Sequence, residues 1–265
     1  MKIWYQSATS YRYEPIWDEY GKTLEEQCKR VLRPDTEVYV TGIPVMMREI
    51  DRFKSIMYYH QIQILNNMLK AEKEGYDAFV LGCTYEGGLV EGREMLSIPV
   101  VGIAQTSYYM AAMLGELFAT VTVDYFVAEL YRQQVEHCGL SSKHLPGPYW
   151  FQSSDEELAQ ALKNPQPTME KFKATAEKAV ADGASVIIPG PAFLSSLVYK
   201  TGLTQVGAAL VLDTISVAVK TGEMLADLKK IGIEFSRKLQ VYGSPSKELL
   251  KQTFEKYSKV FKIEY

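Results

Sequence analysis

Short apolar runs alternate with longer amphipathic stretches along most of the 265-residue chain, and this alternation constrains the fold more than any other feature. Residues 78–82 read AFVLG and residues 185–189 read SVIIP, which is the composition of strands that are buried on both faces. The stretches between such runs have the length and spacing of helices. Strands that alternate with helices over short connections predict an α/β fold with parallel sheet.

The same pattern predicts the individual elements. Strands are expected over residues 2–5, 37–41, 78–82, 100–103, 118–123, 185–189 and 208–212. Helices are expected over residues 23–32, 52–74, 106–114, 126–138, 168–181, 214–225 and 247–261. Residues 141–167 contain four prolines and are expected to be irregular, apart from a short acidic helix near 155–162.

The chain also contains an internal repeat with an offset of 108 residues. The segment GYDAFVLGC begins at residue 75 and GASVIIPGP begins at residue 183, and both follow a charged helix. The matched pairs are Gly82 with Gly190, Cys83 with Pro191, and Gln105 with Asp213. Ordinary similarity between two strand–helix units is the alternative explanation of such a match.

The repeat predicts two related α/β halves, residues 1–114 and 115–225, with a pseudo-twofold relation between them. The carboxyl ends of the strands would then face a cleft between the halves, where open α/β sheets bind ligands. Residues 226–265 are expected to pack back on the first half.

Composition excludes several classes of function. The chain has 29 basic and 32 acidic residues, so it lacks the positive charge needed to bind nucleic acid. Three cysteines do not make a disulfide framework and favour a reducing compartment, and no apolar run reaches the length of a membrane span. The first residues also lack the apolar core of a signal peptide. We therefore expect a cytoplasmic protein that acts on a small molecule without binding nucleic acid or a membrane.

Cys83 is the residue whose position best fits a catalytic role. It follows a predicted strand and Gly82, and it precedes Thr84 and a predicted helix. Backbone N–H groups at a helix N-terminus lower the pKa of a thiol and bind anions. The alternative is a small buried apolar side chain, which is the interpretation that we give to Cys28 and Cys138.

Residues 79–107, FVLGCTYEGGLVEGREMLSIPVVGIAQTS, resemble the first cysteine motif of the Asp/Glu/hydantoin racemase superfamily, and most closely its hydantoin racemase branch. The resemblance implies a cofactor-independent enzyme in which two opposed cysteines act on the acidic carbon of the substrate, one as base and one as acid. Cys83 corresponds to the first cysteine. The second falls at Pro191, which has no proton to give. We also expect a homo-oligomer.

Several reactions remain open without the second cysteine. Glu86, Tyr85 and Ser195 lie near the predicted site and are the first candidates to replace it, with Tyr5, Asp124 and Asp213 as more distant candidates. In an isomerase, Cys83 adds covalently to the substrate, as in the similar maleate isomerases. A one-thiol decarboxylase resembles arylmalonate decarboxylases in mirror image, and a hydrolase needs His60 or Glu86 as base. A ligand-binding protein without activity is the remaining alternative.

The resemblance also implies a set of substrate-binding residues. The polar residues expected to hold carboxylate or imide oxygens are Gln6, Ser7, Thr84, Thr120 and Thr122, and the residues expected on the opposite side are Pro191 and Phe193. No arginine lies at the ends of the motifs, which favours one acidic or imide group over a dicarboxylate. The three histidines lack metal-ligand spacing, so no metal is expected. Residues 86–92, EGGLVEG, are interpreted as a flexible active-site loop.

Overall fold

The computed structural model describes residues 1–47, 53–236 and 243–261. Its strands are β1 (Lys2–Gln6), β2 (Glu37–Thr41), β3 (Ala78–Leu81), β4 (Val100–Gly102), β5 (Phe118–Val121), β6 (Val186–Pro189), β7 (Gln205–Val206) and β8 (Ala209–Val211). Its α-helices are α1 (Asp18–Val31), α2 (Lys54–Lys73), α3 (Leu89–Met95), α4 (Ile103–Leu114), α5 (Tyr125–His137), α6 (Asp155–Ala161), α7 (Gln166–Ala181), α8 (Ala192–Thr201), α9 (Thr214–Lys230) and α10 (Lys247–Phe261).

The strands in the described ranges form two four-stranded sheets, one in each half of the chain. The first has the order β2-β1-β3-β4 and is parallel throughout. The second has the order β5-β6-β8-β7, and only β7 runs antiparallel to its neighbour. Parallel strands end at the same edge of a sheet, so the predicted α/β architecture in two halves is confirmed.

The repeat extends further than the sequence indicated. In the first sheet β2 lies beside β1, and in the second the segment 143–151 lies beside β5, pairing with it in parallel at Phe118 and Thr122. Pro146 and Pro148 lie between these two pairs and have no N–H to donate, so the segment cannot form a continuous ladder. The two sheets therefore share a strand order in which one edge strand is replaced by an irregular segment.

The last helix of each half packs on the sheet of the other half. Helix α4 belongs to the first half, but Ala104, Tyr108 and Ala111 pack with Phe118 and Val186 of the second. Helix α9 follows β8, yet it lies against β1, β3 and β4, and α4 and α9 contact each other. This exchange buries apolar surface between the halves and fixes their relative position.

Glu223 fixes α9 to the first half with its carboxylate. The residue is only 1% exposed, and it accepts hydrogen bonds from the Thr36 hydroxyl at 2.6 Å and from the Arg33 backbone N–H at 3.1 Å. The Arg33 guanidinium and Lys220 supply the positive charge that a buried carboxylate needs.

The structure confirms most predicted strands and helices and corrects three interpretations. Residues 86–92 are not a loop throughout, because helix α3 begins at Leu89, and both Leu89 and Gly92 are buried. Helix α8 was not predicted, and α1 begins five residues earlier than expected, at Asp18. The expected start of the second helix, Arg52, lies outside the described residues.

The C-terminal segment was expected to contact the first half. Asp227 forms an ion pair with Arg33, and the centroid of the Phe235 ring lies 4.3 Å from the guanidinium carbon of Arg93. Residues 237–242 and 262–265 of that segment lie outside the described residues. None of the helices in the part of the chain that the structure covers is both long enough and apolar enough to cross a membrane.

We predict that Glu223→Ala lowers the free energy of unfolding by about 2 kcal/mol, because the Thr36 hydroxyl and the Arg33 backbone N–H lose their acceptor. Chemical denaturation followed by circular dichroism measures this difference. Glu177→Ala, at an exposed position on α7, is the control and should change stability by less than about 0.5 kcal/mol. Equal losses in the two variants would contradict the role given to Glu223.

Candidate active site

Cys83 lies on a tight turn at the carboxyl end of β3. Gly82 separates it from the strand, and the N–H of Glu86 donates to the carbonyl of Cys83 at 3.0 Å, which closes the turn. A side chain at position 82 would collide with Tyr5, because a Cβ there would lie 2.3 Å from Cζ of that ring. Glycine therefore allows β3 and β1 to bring the turn to the edge of the sheet. We refer to residues 83–86 as the Cys83 turn.

A pocket of about 280 Å³ opens in front of the Cys83 turn, between the two halves. From the first half it is lined by Ser7, Ala8, Thr9, Glu14, Ile16, Trp17, Tyr20, Met46, Gly82, Cys83, Thr84 and Tyr85. From the second half it is lined by Leu158, Pro191, Ala192 and Phe193. The two positions that the repeat makes equivalent, Cys83 and Pro191, thus border one pocket.

The second half contributes an apolar wall to this pocket. Pro191 precedes the first turn of α8, and Ala192 and Phe193 are its first two residues. A helix N-terminus carries a partial positive charge, which favours negative charge on a bound molecule. No lysine or arginine is among the described residues that line the pocket, and its one carboxylate belongs to Glu14. The pocket therefore suits a neutral or singly charged molecule with an apolar part.

Tyr20 is the phenol of the pocket that the sequence analysis missed. It lies on α1 and is 4% exposed, and its ring centroid is 5.3 Å from that of Phe193. Burial and the charge of the nearby Cys83 thiolate raise the pKa of Tyr20, while a hydrogen bond with Ser196 lowers it. The phenol is thus protonated at neutral pH and is held between Cys83 and α8.

The hydroxyl of Tyr20 belongs to a chain of hydrogen bonds between the halves. Ser196 on α8 donates to Oε1 of Gln27 at 3.2 Å, and Nε2 of Gln27 donates to Asp213 at 2.6 Å. Asp213 also accepts from Arg30 and from the backbone N–H of Ser216. This chain fixes the position of Ser196, and Ser196 in turn fixes the Tyr20 hydroxyl.

Two hydrogen bonds from α5 hold Thr84 in place. Its hydroxyl lies 2.7 Å from the hydroxyl of Tyr131 on α5, and its carbonyl accepts from Nε2 of Gln134 at 2.8 Å. The ring of Tyr131 lies against Gly190, where a Cβ would come within 2.3 Å of it. In each half, a tyrosine on the first α-helix therefore forms a hydrogen bond with the other half. Tyr20 bonds to Ser196, and Tyr131 bonds to Thr84.

Glu86 turns away from the pocket. Its carboxylate accepts from the backbone N–H of Gln105 at 2.8 Å, in the first turn of α4. Burial raises the pKa of Glu86 to about 7, against the opposing effects of the Gln105 and Ala104 N–H groups and the Arg93 charge. Tyr85, by contrast, lines the pocket beside Cys83.

The predicted substrate-binding residues divide into two groups. Ser7, Thr84, Pro191 and Phe193 line the pocket, whereas the described lining does not include Gln6, Thr120 and Thr122. Gln6 is held by Trp4 and Asn67, both of which donate to its Oε1.

Thr120 and Thr122 are held within the second half. The Thr120 hydroxyl lies 3.4 Å from Nε2 of His144, and Thr122 is fully buried. Gln6, Thr120 and Thr122 therefore belong to the packing around the pocket.

Three of the other candidate acids and bases have structural partners, whereas the buried hydroxyl of Tyr5 has no hydrogen-bond partner among the residues that the structure describes. Asp124 caps α5 through the N–H of Phe126, and Ser195 accepts from the N–H of Thr214. His60 accepts the N–H of Met47 at 3.0 Å, and burial lowers its pKa. None of the three is among the described residues that line the pocket. The part of the chain that the structure describes also brings no three side chains of His, Cys, Asp or Glu together in a possible metal site.

The family model for Asp/Glu/hydantoin racemases matches residues 18–222, which include the Cys83 turn, Tyr20 and the wall at Pro191. The chain belongs to this family. It is therefore a racemase-type enzyme, as the resemblance of residues 79–107 implied.

Individual relatives agree with this assignment. The chain is 27% identical over 228 residues to a hydantoin racemase from Pseudomonas sp. (strain NS671), covering 86% of this chain and 87% of that protein. Its fold is similar to that of allantoin racemase from Klebsiella pneumoniae, with a TM-score of 0.74, 20% identity, and coverage of 93% and 95% of the two chains. Allantoin racemase from Pseudomonas fluorescens gives a TM-score of 0.73 at 22% identity, with coverage of 92% and 97%.

The raised pKa of Glu86 makes stability depend on pH. Folding raises the pKa from 4.5 to about 7, so the folded chain holds this proton more tightly than the unfolded chain does. The contribution of the carboxyl group is thus fully present below pH 4.5 and is lost as the pH rises through 7. We predict that the unfolding free energy of the wild type, minus that of Glu86→Gln, falls over this range by at most about 3 kcal/mol.

Denaturant titrations at pH 4.5, 6 and 8 measure that difference. Glu91→Gln is the matched control, because the exposed Glu91 is hydrated in both folded and unfolded chains. A difference that is constant over this range, or one that rises with pH, would contradict the buried position of the Glu86 carboxylate.

Proposed function

We propose that the protein interconverts the two enantiomers of a small cyclic imide or amide of the hydantoin type, with Cys83 as the base and Tyr20 as the acid. The observation that carries this proposal is the pocket shared by the Cys83 turn and α8, which both Cys83 and Tyr20 line, with the charge of Cys83 acting on the Tyr20 phenol. The acidic carbon of such a substrate is next to a carbonyl group.

The proton transfers follow from the two environments. The Cys83 thiolate takes the proton from the acidic carbon, which becomes part of an enolate, and the sulfur becomes a thiol. The Tyr20 phenol then gives its proton to the opposite face of that carbon and becomes a phenolate. The single hydroxyl proton of Ser196 turns from Gln27 to this phenolate and stabilises it. Exchange with solvent restores the thiolate and the phenol, so the cycle needs no other reactant.

The enolate oxygen requires stabilisation, and the first turn of α8 faces the pocket. The backbone N–H groups of Ala192 and Phe193 lie at the positive end of this ten-residue helix. Pre-organised N–H donors of this kind lower the energy of a developing oxyanion. Pro191 has no N–H and no proton to give. It therefore contributes to the shape of the apolar wall and does not act as a second acid.

The substrate class follows from the charges around the pocket. A dicarboxylate amino acid would bury two negative charges beside Glu14 with no cation in the described lining, which is costly. A neutral ring with carbonyl oxygens avoids this cost. Ile16, Trp17 and Leu158 offer an apolar surface to a substituent on the acidic carbon. Relatives named hydantoin racemase and allantoin racemase support a ring of this type.

We predict that Cys83→Ser abolishes exchange of the proton on the acidic carbon, because a serine hydroxyl is far less acidic than a thiol. The assay follows deuterium uptake by one enantiomer of 5-benzylhydantoin in heavy water and its loss of optical rotation. Cys138→Ser, a half-buried cysteine outside the described pocket lining, is the control and should keep wild-type rates. Equal uptake by the wild type and Cys83→Ser would refute the proposal.

We also predict that Tyr20→Phe lowers kcat by about 10²–10⁴-fold and changes KM little, since the phenol acts on the proton and leaves most of the pocket unchanged. Tyr58→Phe, at an exposed position on α2, is the matched control. An unchanged kcat in Tyr20→Phe would assign the second proton transfer to another group.

The apolar wall favours a second candidate, a one-cysteine decarboxylase. A carboxylate placed against Pro191, Ala192 and Phe193 would lose its hydration, which promotes loss of carbon dioxide. Cys83 would then protonate the resulting carbanion on one face only. Release of carbon dioxide from an α-arylmalonate, without racemisation of 5-benzylhydantoin, would favour this alternative.

A further inference from the structure

The backbone of Glu86 has a conformation that its side chain does not favour. Its φ is +53°, in the left-handed region that glycine occupies most easily. Non-glycine residues keep such a conformation only where their surroundings hold it, and such residues cluster at functional sites. Glu86 is also the last residue of the Cys83 turn, because its N–H closes the turn on the Cys83 carbonyl.

Hydrogen bonds to the Glu86 carboxylate stabilise this backbone conformation. The carboxylate accepts the Gln105 N–H at 2.8 Å and also a hydrogen bond from the Ala104 backbone. Both donors belong to the first turn of α4, whose partial positive charge favours a carboxylate. Arg93 attracts it as well, and this guanidinium is fixed by the Gln105 side chain at 2.7 Å and by the Val100 carbonyl at 3.0 Å.

The neighbouring backbone leaves room for this contact. Gly102 precedes α4, and a Cβ at that position would lie 2.1 Å from Oε1 and 2.6 Å from Cδ of Glu86. An ordinary side chain there would displace the carboxylate. The residues on both sides of the contact, Glu86 with its positive φ and Gly102 without a side chain, are thus adapted to it.

We propose that Glu86 is a positioning residue, which locks the Cys83 turn onto the N-terminus of α4 and thereby sets where the Cys83 sulfur meets the substrate. The proposal rests on the proposed function, in which Cys83 is the base. Glu86 itself does not border the pocket, so it acts through the turn. Thr84, held by Tyr131 and Gln134, anchors the same turn to α5.

The contact between the Glu86 carboxylate and the N-terminus of α4 is sensitive to pH. Burial brings the pKa of Glu86 to about 7, and the ionisable groups around it are Arg93 on α3, Tyr108 on α4 and Cys138 after α5. A protonated carboxyl group accepts hydrogen bonds more weakly than a carboxylate and loses its attraction to Arg93. The ionisation of Glu86 should therefore contribute to the acidic side of the activity profile.

The first test uses Glu86→Gln, which keeps the size of the side chain and removes its charge. We expect kcat at pH 8 to fall about tenfold with KM changed less than twofold. The acidic side of the kcat–pH profile should lose the ionisation near pH 7 that belongs to Glu86. Glu91→Gln should keep the wild-type profile. A wild-type kcat and pH profile in Glu86→Gln would overturn the proposal.

The second test uses Gly102→Ala, which keeps the charge and the thiol but pushes the carboxylate away. Circular dichroism establishes folding, and we expect the same tenfold loss of kcat. Gly243→Ala, where a Cβ meets nothing within 4 Å, is the control. A folded Gly102→Ala enzyme with normal kcat would overturn the proposal.

Alkylation by iodoacetamide, mapped to the Cys83 peptide by mass spectrometry, separates this inference from the proposed function. We expect its rate in Glu86→Gln to change at least threefold at pH 8. If Cys83→Ser still turns over substrate, the proposed function fails, and a changed alkylation rate still supports the positioning of Cys83 by Glu86. An unchanged alkylation rate, with turnover that requires Cys83, refutes the positioning role alone.

Discussion

The exchange of α4 and α9 between the two halves is the constraint on which the site depends. Each helix covers the sheet of the other half, and the two helices pack on each other. The halves are therefore held with the carboxyl end of β3 opposite the start of α8. Because the first turn of α4 also binds the Glu86 carboxylate, the helix that joins the halves also supports the turn that presents Cys83.

The charges around the pocket are arranged differently from those of a site with two equivalent thiols. One side offers a thiol on a tight turn, and the other offers a proline and the N-terminus of α8. In the proposed mechanism the phenol of Tyr20 takes the place of a second thiol, and its hydrogen bond with Ser196 links α1 to α8. In this account the chemistry of the second half is limited to holding Tyr20 and stabilising negative charge.

Local patterns in the sequence were enough to predict seven of the eight described strands and the place of Cys83 at the end of β3, since a buried strand followed by Gly82 and a cysteine is a local signal. Tyr20 was missed because α1 begins at Asp18 without a capping side chain that would mark its start. The spacing of Tyr20, Leu24 and Gln27 on one helical face was the signal that could have extended the helix. Glu86 was predicted as catalytic from its nearness to Cys83, but the left-handed turn sends its side chain to α4, and no local pattern shows that contact.

The central claim is that two different groups act on opposite faces of one carbon. The most direct measurement is the distribution of deuterium between the two enantiomers of 5-benzylhydantoin at low conversion in heavy water. With Cys83 on one face and Tyr20 on the other, the product enantiomer should carry deuterium while the recovered substrate stays largely unlabelled. Equal labelling of both enantiomers from the start would show that a single group removes and returns the proton, and it would contradict the account.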